Sequence, residues 1–285
     1  MSGAARAMLP GNRLHLQHGP IDLVIEAWGQ PQEVALAYEQ ASQRFEDILP
    51  TLVSEFALLR APLGDPYPLA RGPVARRMIS ACWPHRAVFI TPMAAVAGAV
   101  ADEMLAALLA GRSLAKAYVN DGGDIALHLS DGHPLQAGIA NDPQRPQLAA
   151  DVRIDAASPV RGIATSGWRG RSQSLGIADA VTVLARSAAA ADAAATLVAN
   201  AVDVEHPSIR RLPARDVKHD SDLGERLVTV AVEELPAQAI ASALSSGSAA
   251  AATMLDAGWI EAAYLSLQGQ TRVVARTTHE WRLSA

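Results

Sequence analysis

Apolar and polar residues alternate along RLHLQHGPIDLVIEA, on both sides of His18-Gly19-Pro20. A period of two around a Gly-Pro turn predicts a β-hairpin with one buried face. A long helix is predicted next, from about Gln32 to Arg60, and then a surface loop, APLGDPYPLARGP, whose prolines and glycines break regular structure. From Pro92 to Gly111, PMAAVAGAVADEMLAALLAG is apolar on nearly every side, as a helix in a protein interior must be. AYVNDGGDIALHLSDGHPLQAGIAND reads as strands joined by turns at Asp121-Gly122-Gly123 and Asp131-Gly132, the Asp-Gly pair being the stronger hairpin signal. AVTVLA predicts a strand and the alanine run after it a helix, since alanine has the highest helix propensity. RLVTVAVEEL is a further strand, and a helix interrupted by Ser-Ser-Gly leads to a closing hairpin at Gln268-Gly269. Hairpin strands interleaved with a few long helices predict an α+β layer architecture rather than a doubly wound parallel sheet. No linker rich in Gly, Ser or Pro divides the chain, so residues 1–285 read as one domain with two connected lobes.

Half of the 285 residues are hydrophobic, enough for a substantial core, and the formal charge of −5 argues against a nucleic-acid partner. Cys82 is the sole cysteine, which excludes an intrachain disulfide and a thiolate cluster and makes it a core residue. The apolar region from Ala87 to Ala110 is broken by Thr91, Pro92, Asp102 and Glu103, which favours a buried helix over a membrane span. The first residues lack the apolar segment of a signal peptide, so the expected location is the cytoplasm. Two arginine groups stand out, Arg71, Arg76, Arg77 and Arg86 before the first buried helix, and Arg161, Arg169 and Arg171 around TSGWRGRSQS. Guanidinium forks of either group suit phosphate or carboxylate, and equally a solvated surface paired with acids.

The alanine helix carries one polar line. Asp192, Thr196 and Asn200 are four residues apart and share a stripe among Ala, Leu and Val. A buried aspartate needs a partner or a metal, and oxygens at this spacing suit Mg²⁺, while a stripe that meets solvent or bonds to a loop has the same spacing. Thr165, Ser166, Gly167, Arg169 and Arg171 form a turn whose backbone N–H groups and guanidinium groups suit phosphate oxygens. NDGGD adds paired glycines, Gly122 and Gly123, between two carboxylates.

Four segments in order, GAVAD, NDGGDIAL with QAGIANDP, IATSG, and AVTVLA leading into ADAAAT, resemble the ApbE superfamily of flavin-handling proteins. The longer run ATSGWRGRSQSLGIADAVTVLA, with DSDLG downstream, is more similar to an ApbE-like branch than to the flavin transferases themselves. The resemblance implies a Mg²⁺ site at Asp192 and Thr196, a flavin nucleotide site, for FAD or a relative, lined by Gly122, Gly123, Ser166 and Gly167, and a matching acid at Asp102. It also implies, in the transferases, movement of FMN from FAD to a threonine of a target protein. Two departures leave that reaction open: Ala97 stands where transferases carry lysine, and SQSLGIAD replaces a His-x-x-Asp-Pro segment, with no histidine between His133 and His206.

Two expectations of different class follow. One is a protein that binds a flavin nucleotide, FAD or a related phosphate-bearing cofactor with Mg²⁺, with or without transfer. The other is a non-catalytic accessory protein with a protein partner, in one-carbon-carrier or sulfur (homocysteine) metabolism, as the resemblance to that branch allows. A homodimer is compatible with either. An ordinary metal-dependent phosphohydrolase fits less well, because the sequence lacks a dense set of Asp and His ligands.

Overall fold

The computed structural model describes residues 3–141, 148–276 and 281–283. The chain begins with β1 (Ala5–Leu9), β2 (Arg13–His18), β3 (Ile21–Gly29), α1 (Pro31–Phe45), α2 (Ile48–Ser54), α3 (Phe56–Leu59), α4 (Pro73–Cys82) and α5 (Val96–Leu109). It continues through β4 (Leu114–Asp121), β5 (Asp124–Leu129), β6 (Leu135–Ala140), β7 (Leu148–Ile154), β8 (Gly162–Ser166), β9 (Ala180–Ala185) and α6 (Ala188–Ala201). The last elements are β10 (Ile209–Pro213), α7 (Ala214–Val217), β11 (Leu227–Val232), α8 (Ala237–Asp256), β12 (Ala262–Leu267), β13 (Gln270–Ala275) and β14 (Trp281–Leu283). The fold is α+β, built on antiparallel pairings.

Two compact units divide the chain. The first holds the residues up to Leu135 together with Ile154–Ala164 and Ala185–Ala193. Its strands follow the order β1-β2-β3-β4-β5-β8. The buried face of this sheet carries Leu14, Leu16, Leu23, Ile25, Ala117 and Val119, and α1 and α5 supply the opposing layer through Phe45, Met104 and Leu108, with α4 packed on α5. Burying such side chains stabilises the unit by roughly 2 kcal/mol each. Tyr38 of α1 ties the layers together: its hydroxyl accepts from Ala27 N–H (3.1 Å) and donates to Asn12 O (2.8 Å).

The segment Pro92–Leu109 is 18 residues long with mean hydropathy 1.5, apolar enough by composition to cross a membrane, and half of it is buried in the protein. It contains a 3₁₀ turn, Pro92–Ala95, and α5, which packs against α1, α4, β4 and β5.

The second unit comprises Gln136–Arg153, Thr165–Leu184 and the chain from Ala194 on. β12 pairs antiparallel with both β9 and β13, and α8 covers β12 and β13. β9 and β12 are buried at every position, which explains why AVTVLA is apolar on both faces apart from Thr182 rather than alternating. β10 and β11 form a two-stranded ribbon, and β6, β7 and β14 a three-stranded sheet.

The hairpin turns at Gly19, at Gly122-Gly123 and at Gln268-Gly269 are present, each with backbone in the left-handed region. Three expectations are corrected. The helix expected from Gln32 to Arg60 is instead three helices: Pro50 has no N–H to give the carbonyl of Glu46 and its ring clashes with it, which ends α1 and leaves Pro50 in the first turn of α2, and a second break falls at Glu55. The Asp131-Gly132 turn does not close a hairpin, since β5 pairs with β4 and β8 while β6 pairs with β7. β1, β7, β8 and β10 are strands absent from the expected pattern: β1 is exposed along most of its length and β10 only partly covered, β8 is five residues long and holds Thr165 and Ser166 in a strand rather than a turn, and β7 does bury alternate residues, Ala150, Val152 and Ile154.

His85, only 6% exposed, is held neutral, its pKa pushed down to about 4 by burial. The unfolded chain then binds a proton that the folded chain refuses, so the contribution of neutral His85 is present above pH 6.5 and is lost as pH falls toward 4. Urea unfolding at pH 7 and pH 5 should show the wild-type chain losing about 2 kcal/mol more than His85→Gln. Equal losses would mean that His85 titrates normally.

Candidate functional site

In the first unit, α5 and α6 cap one another. Gly98 and Asp102 share a stripe on α5, as Ala188 and Asp192 do on α6. The two oxygens of Asp102 accept Ala188 N–H (3.0 Å) and Ala189 N–H (2.9 Å), and Ser187 Oγ accepts Ala190 N–H (3.2 Å). In return Asp192 Oδ2 accepts Gly98 N–H (3.0 Å), and Ala97 N–H donates to the same carboxylate. Each carboxylate thus satisfies orphan donors in the first turn of the other helix, an arrangement worth about 1 kcal/mol per cap.

The exchange demands close backbones. A Cβ on Gly98 would lie 2.3 Å from Ala188 O, and one on Gly162 of β8 would lie 2.1 Å from Ser187 C. Glycine is required at both positions for steric reasons alone. Burial pushes the Asp102 carboxyl up, against the downward pull of the Ala189 and Ala188 N–H groups and of Arg77.

The β4–β5 hairpin brings further charge to Asp192. Gly122 and Gly123 both have positive φ, +65° and +112°, and Asn120 Oδ1 accepts Gly123 N–H at 2.8 Å, which fixes the turn. Asp121 and Asp124 face each other across the ladder beside it. The Asp192 carboxyl sits in dense surroundings, although part of the residue's surface stays accessible. Its pKa is driven well above the usual range by burial first and then by the charge of Asp124 and of Asp121, while the Gly98 and Ala97 N–H groups oppose the rise. Burial also raises the Cys82 thiol, with Asp192 adding to the effect, so Cys82 is an inert core thiol. Among the described residues no group of three or more His, Cys, Asp or Glu side chains converges to hold a metal ion.

In the second unit the Ser166-Gly167 turn is fastened by Asp179. A Cβ on Gly167 would lie 2.5 Å from Asp179 O, and Trp168 N–H donates to Ala178 O at 3.0 Å. Asp179 Oδ1 accepts from Arg169 Nε (2.9 Å) and Trp168 Nε1 (3.3 Å), and Oδ2 accepts Gln268 N–H (2.6 Å). The Arg169 guanidinium lies 4.7 Å from the Trp168 ring centroid. Arg171 is exposed, and Thr165 Oγ1 is 2.8 Å from Thr182 Oγ1. Further along α6, Asn200 Oδ1 accepts Leu175 N–H (2.9 Å) and Ser174 Oγ (3.3 Å), and Thr196 is half-buried.

These contacts account for Asp192 and Asn200 in the polar line on α6. Asp192 takes the amides of α5 and Asn200 takes an amide of the 174–176 loop, where Gly176 lets the backbone approach so closely that a Cβ would lie 2.2 Å from Ala199 O. Arg161 is withdrawn from its sequence group, since its guanidinium donates to the carbonyls of Ala156, Ser158 and Val160 in the first unit. The two carboxylates of NDGGD, Asp121 and Asp124, are visible in the sequence, but only the glycines between them carry an expected role there; the influence of both acids on Asp192 comes from the fold. For Asp179 the sequence holds no local sign.

Gly98→Ala should lower the unfolding free energy by about 3 kcal/mol or more, because the methyl group meets backbone and not a movable side chain; urea titration measures it. For Asp192 the sign runs opposite to His85. A raised folded pKa makes its contribution greatest at low pH, and stability is lost as pH rises from the ordinary carboxyl range through the raised value. Asp192→Asn keeps an acceptor for Gly98 N–H and carries no charge. At pH 8 in EDTA it should therefore unfold at higher urea than wild type, the gap narrowing toward pH 4. A variant less stable at every pH would refute this account of the carboxylate.

A family model described as AbpE bacteria matches residues 6–273. The UPF0280 protein of Methanothrix thermoacetophila is 39% identical over 136 residues, 46% of this chain and 52% of that protein. The one from Methanopyrus kandleri is 35% identical over 154 residues, 50% of this chain and 56% of its own length. The chain therefore spans about half the length of the curated relatives it matches. Among solved structures, the Pseudomonas stutzeri flavinyl transferase ApbE in its apo form aligns over 95% of this chain and 92% of its own, with a TM-score of 0.45 and 15% identity. The Vibrio cholerae flavin transferase ApbE aligns over 96% and 97%, with a TM-score of 0.44 and 14% identity. With nearly its whole length matched by the family model, the chain belongs to the bacterial ApbE-like family.

Proposed function

We propose that this chain binds a flavin nucleotide, FAD or a related phosphate-bearing cofactor, together with Mg²⁺. The observation that carries the reading is the electrostatic position of Asp192, a carboxylate in dense surroundings whose charged form is opposed by Asp124 and Asp121. A divalent cation relieves that opposition. Mg²⁺ suits a place with few protein carboxylates, because it keeps waters and binds substrate phosphates alongside one or two carboxylates. Asp192 would hold it, with Thr196 one turn further along α6 as the second ligand and Asp121 and Asp124 adding negative potential. When bound, the metal supplies charge neutralisation for phosphate oxygens.

The chain's own residues do the rest of the work. The Gly122-Gly123 turn exposes backbone that a ligand can approach without meeting a Cβ. Asp102 acts through α6, which it caps, and Ser187 completes that cap, so the first amides of α6 are engaged within the protein. In the second unit Thr165, Ser166, Gly167, Arg169 and Arg171 provide hydroxyl, amide and guanidinium donors for an anion. Asp179 holds Arg169 through Nε and leaves its terminal nitrogens as donors. Ala97 stands where the transferases carry lysine and SQSLGIAD stands in place of His-x-x-Asp-Pro, so the proposed function is binding.

Titration of FAD by calorimetry, with MgCl₂ and with EDTA, tests this. Wild type should bind at least tenfold more tightly with Mg²⁺, and Asp192→Asn should lose that dependence while staying folded by circular dichroism. Binding indifferent to EDTA would remove the metal from the reading. No binding by folded wild type would remove the nucleotide and leave the accessory-protein reading. Chromatography of the same mixtures for AMP reports whether the pyrophosphate is cleaved.

A further inference from the structure

Arg60, Arg71, Arg76 and Arg86, between α3 and α5, play no part in that reading, and they stand among exposed apolar side chains. Residues 53–90 contain five arginines and two acids, in a chain whose net charge is −5. The segment from Ala61 to Gly72 is a strap fastened at four places: Leu63 N–H donates to Ile90 O (2.9 Å), Asp65 pairs with Arg86 (3.4 Å), Tyr67 meets Trp83 edge-on at 4.8 Å, and Glu55 accepts the N–H groups of Arg71 and Gly72 at 2.7 Å each. Fastened this way, the strap holds Leu69 outward at 87% exposure, beside the half-exposed Tyr67. Phe56 and Val88 are exposed on the neighbouring turns. Arg60 lies over the Phe56 ring and Arg86 over the Trp83 ring, at 5.0 and 4.4 Å. Arg71, at the end of the strap, and Arg76, in the first turn of α4, are exposed.

Isolated exposed apolar residues are ordinary, but an apolar patch set among aromatic rings and arginines has the composition of an interface centre. The cations decide what it fits. We propose that this face docks an acidic segment of a partner protein, with a Leu or aromatic side chain seated by Leu69 and Tyr67 and with Asp or Glu side chains taken by Arg71 and Arg76. The Asp65–Arg86 pair already shows a carboxylate held on this face, and guanidinium forks match carboxylate geometry. Four fastenings give the strap a defined contour, which favours a peptide of fixed pattern over a fluid lipid surface.

The test pans a library of random 12-residue displayed peptides on the full chain and, in parallel, on a variant with Arg71→Glu, Arg76→Glu and Leu69→Ser. All three side chains are exposed, so the variant should unfold at the same urea concentration as wild type. Clones with two or more acids around a Leu or aromatic residue should be enriched at least tenfold on wild type over the variant, and a synthetic copy of the leading clone should bind more weakly as salt is raised. The proposal is overturned if the enriched clones are not acidic, or if the variant enriches them equally. It is also overturned if the chain sediments with vesicles of phosphatidylserine and phosphatidylcholine while no peptide is enriched.

Discussion

The mutual capping of α5 and α6 is the constraint on which the first unit turns. Asp102 reaches from α5 to the amides of Ala188 and Ala189, and Asp192 reaches back from α6 to the amide of Gly98. Neither contact is available unless the helix starts lie against each other, and that approach requires hydrogen in place of a side chain at Gly98 and Gly162. A Gly-x-x-x-Asp segment therefore has a mechanical meaning here: glycine admits the neighbouring backbone, and aspartate one turn later caps it.

The same contact sets the electrostatics. Helix starts ordinarily attract anions, yet the first amides of α6 are occupied by Asp102 and Ser187. The Asp192 carboxyl instead meets the fields of Asp124 and Asp121, with the Gly98 and Ala97 amides opposing them. Like charges held together at the cost of stability are a familiar property of binding sites. The second unit has the complementary character, its Ser166-Gly167 turn carrying Arg169 and Arg171 with Asp179 as the organising acid.

The arginine-lined strap shows how differently one side chain can be used in one chain. Arg161 is spent entirely on backbone carbonyls, Arg77 pairs with Glu103 at 3.1 Å, and Arg71 and Arg76 stay exposed. Charge counting along the sequence treats these as equivalent. Their availability depends on which carbonyl or carboxylate the fold brings within reach.

By itself the sequence determined the element types wherever a local period carries the information: the hairpins at Gly19, Gly122-Gly123 and Gln268-Gly269, the interior helix after Pro92, the alanine helix and its polar line, and hence the α+β class. Its ordered motifs also determined the family. It was blind to β1, β7, β8 and β10, of which β1 and β10 lack a fully buried face to imprint a period, and to the division of the first long helix. The tertiary structure alone decided that Asp102 is a cap, that Asp121 and Asp124 act on Asp192, that Asp179 anchors Arg169, and that the Asp131-Gly132 turn joins strands that pair elsewhere. The reason is physical. Periodicity and turn chemistry act between residues a few positions apart, whereas the partner of a buried charge is whichever group the fold carries to it, and that group may lie far along the chain.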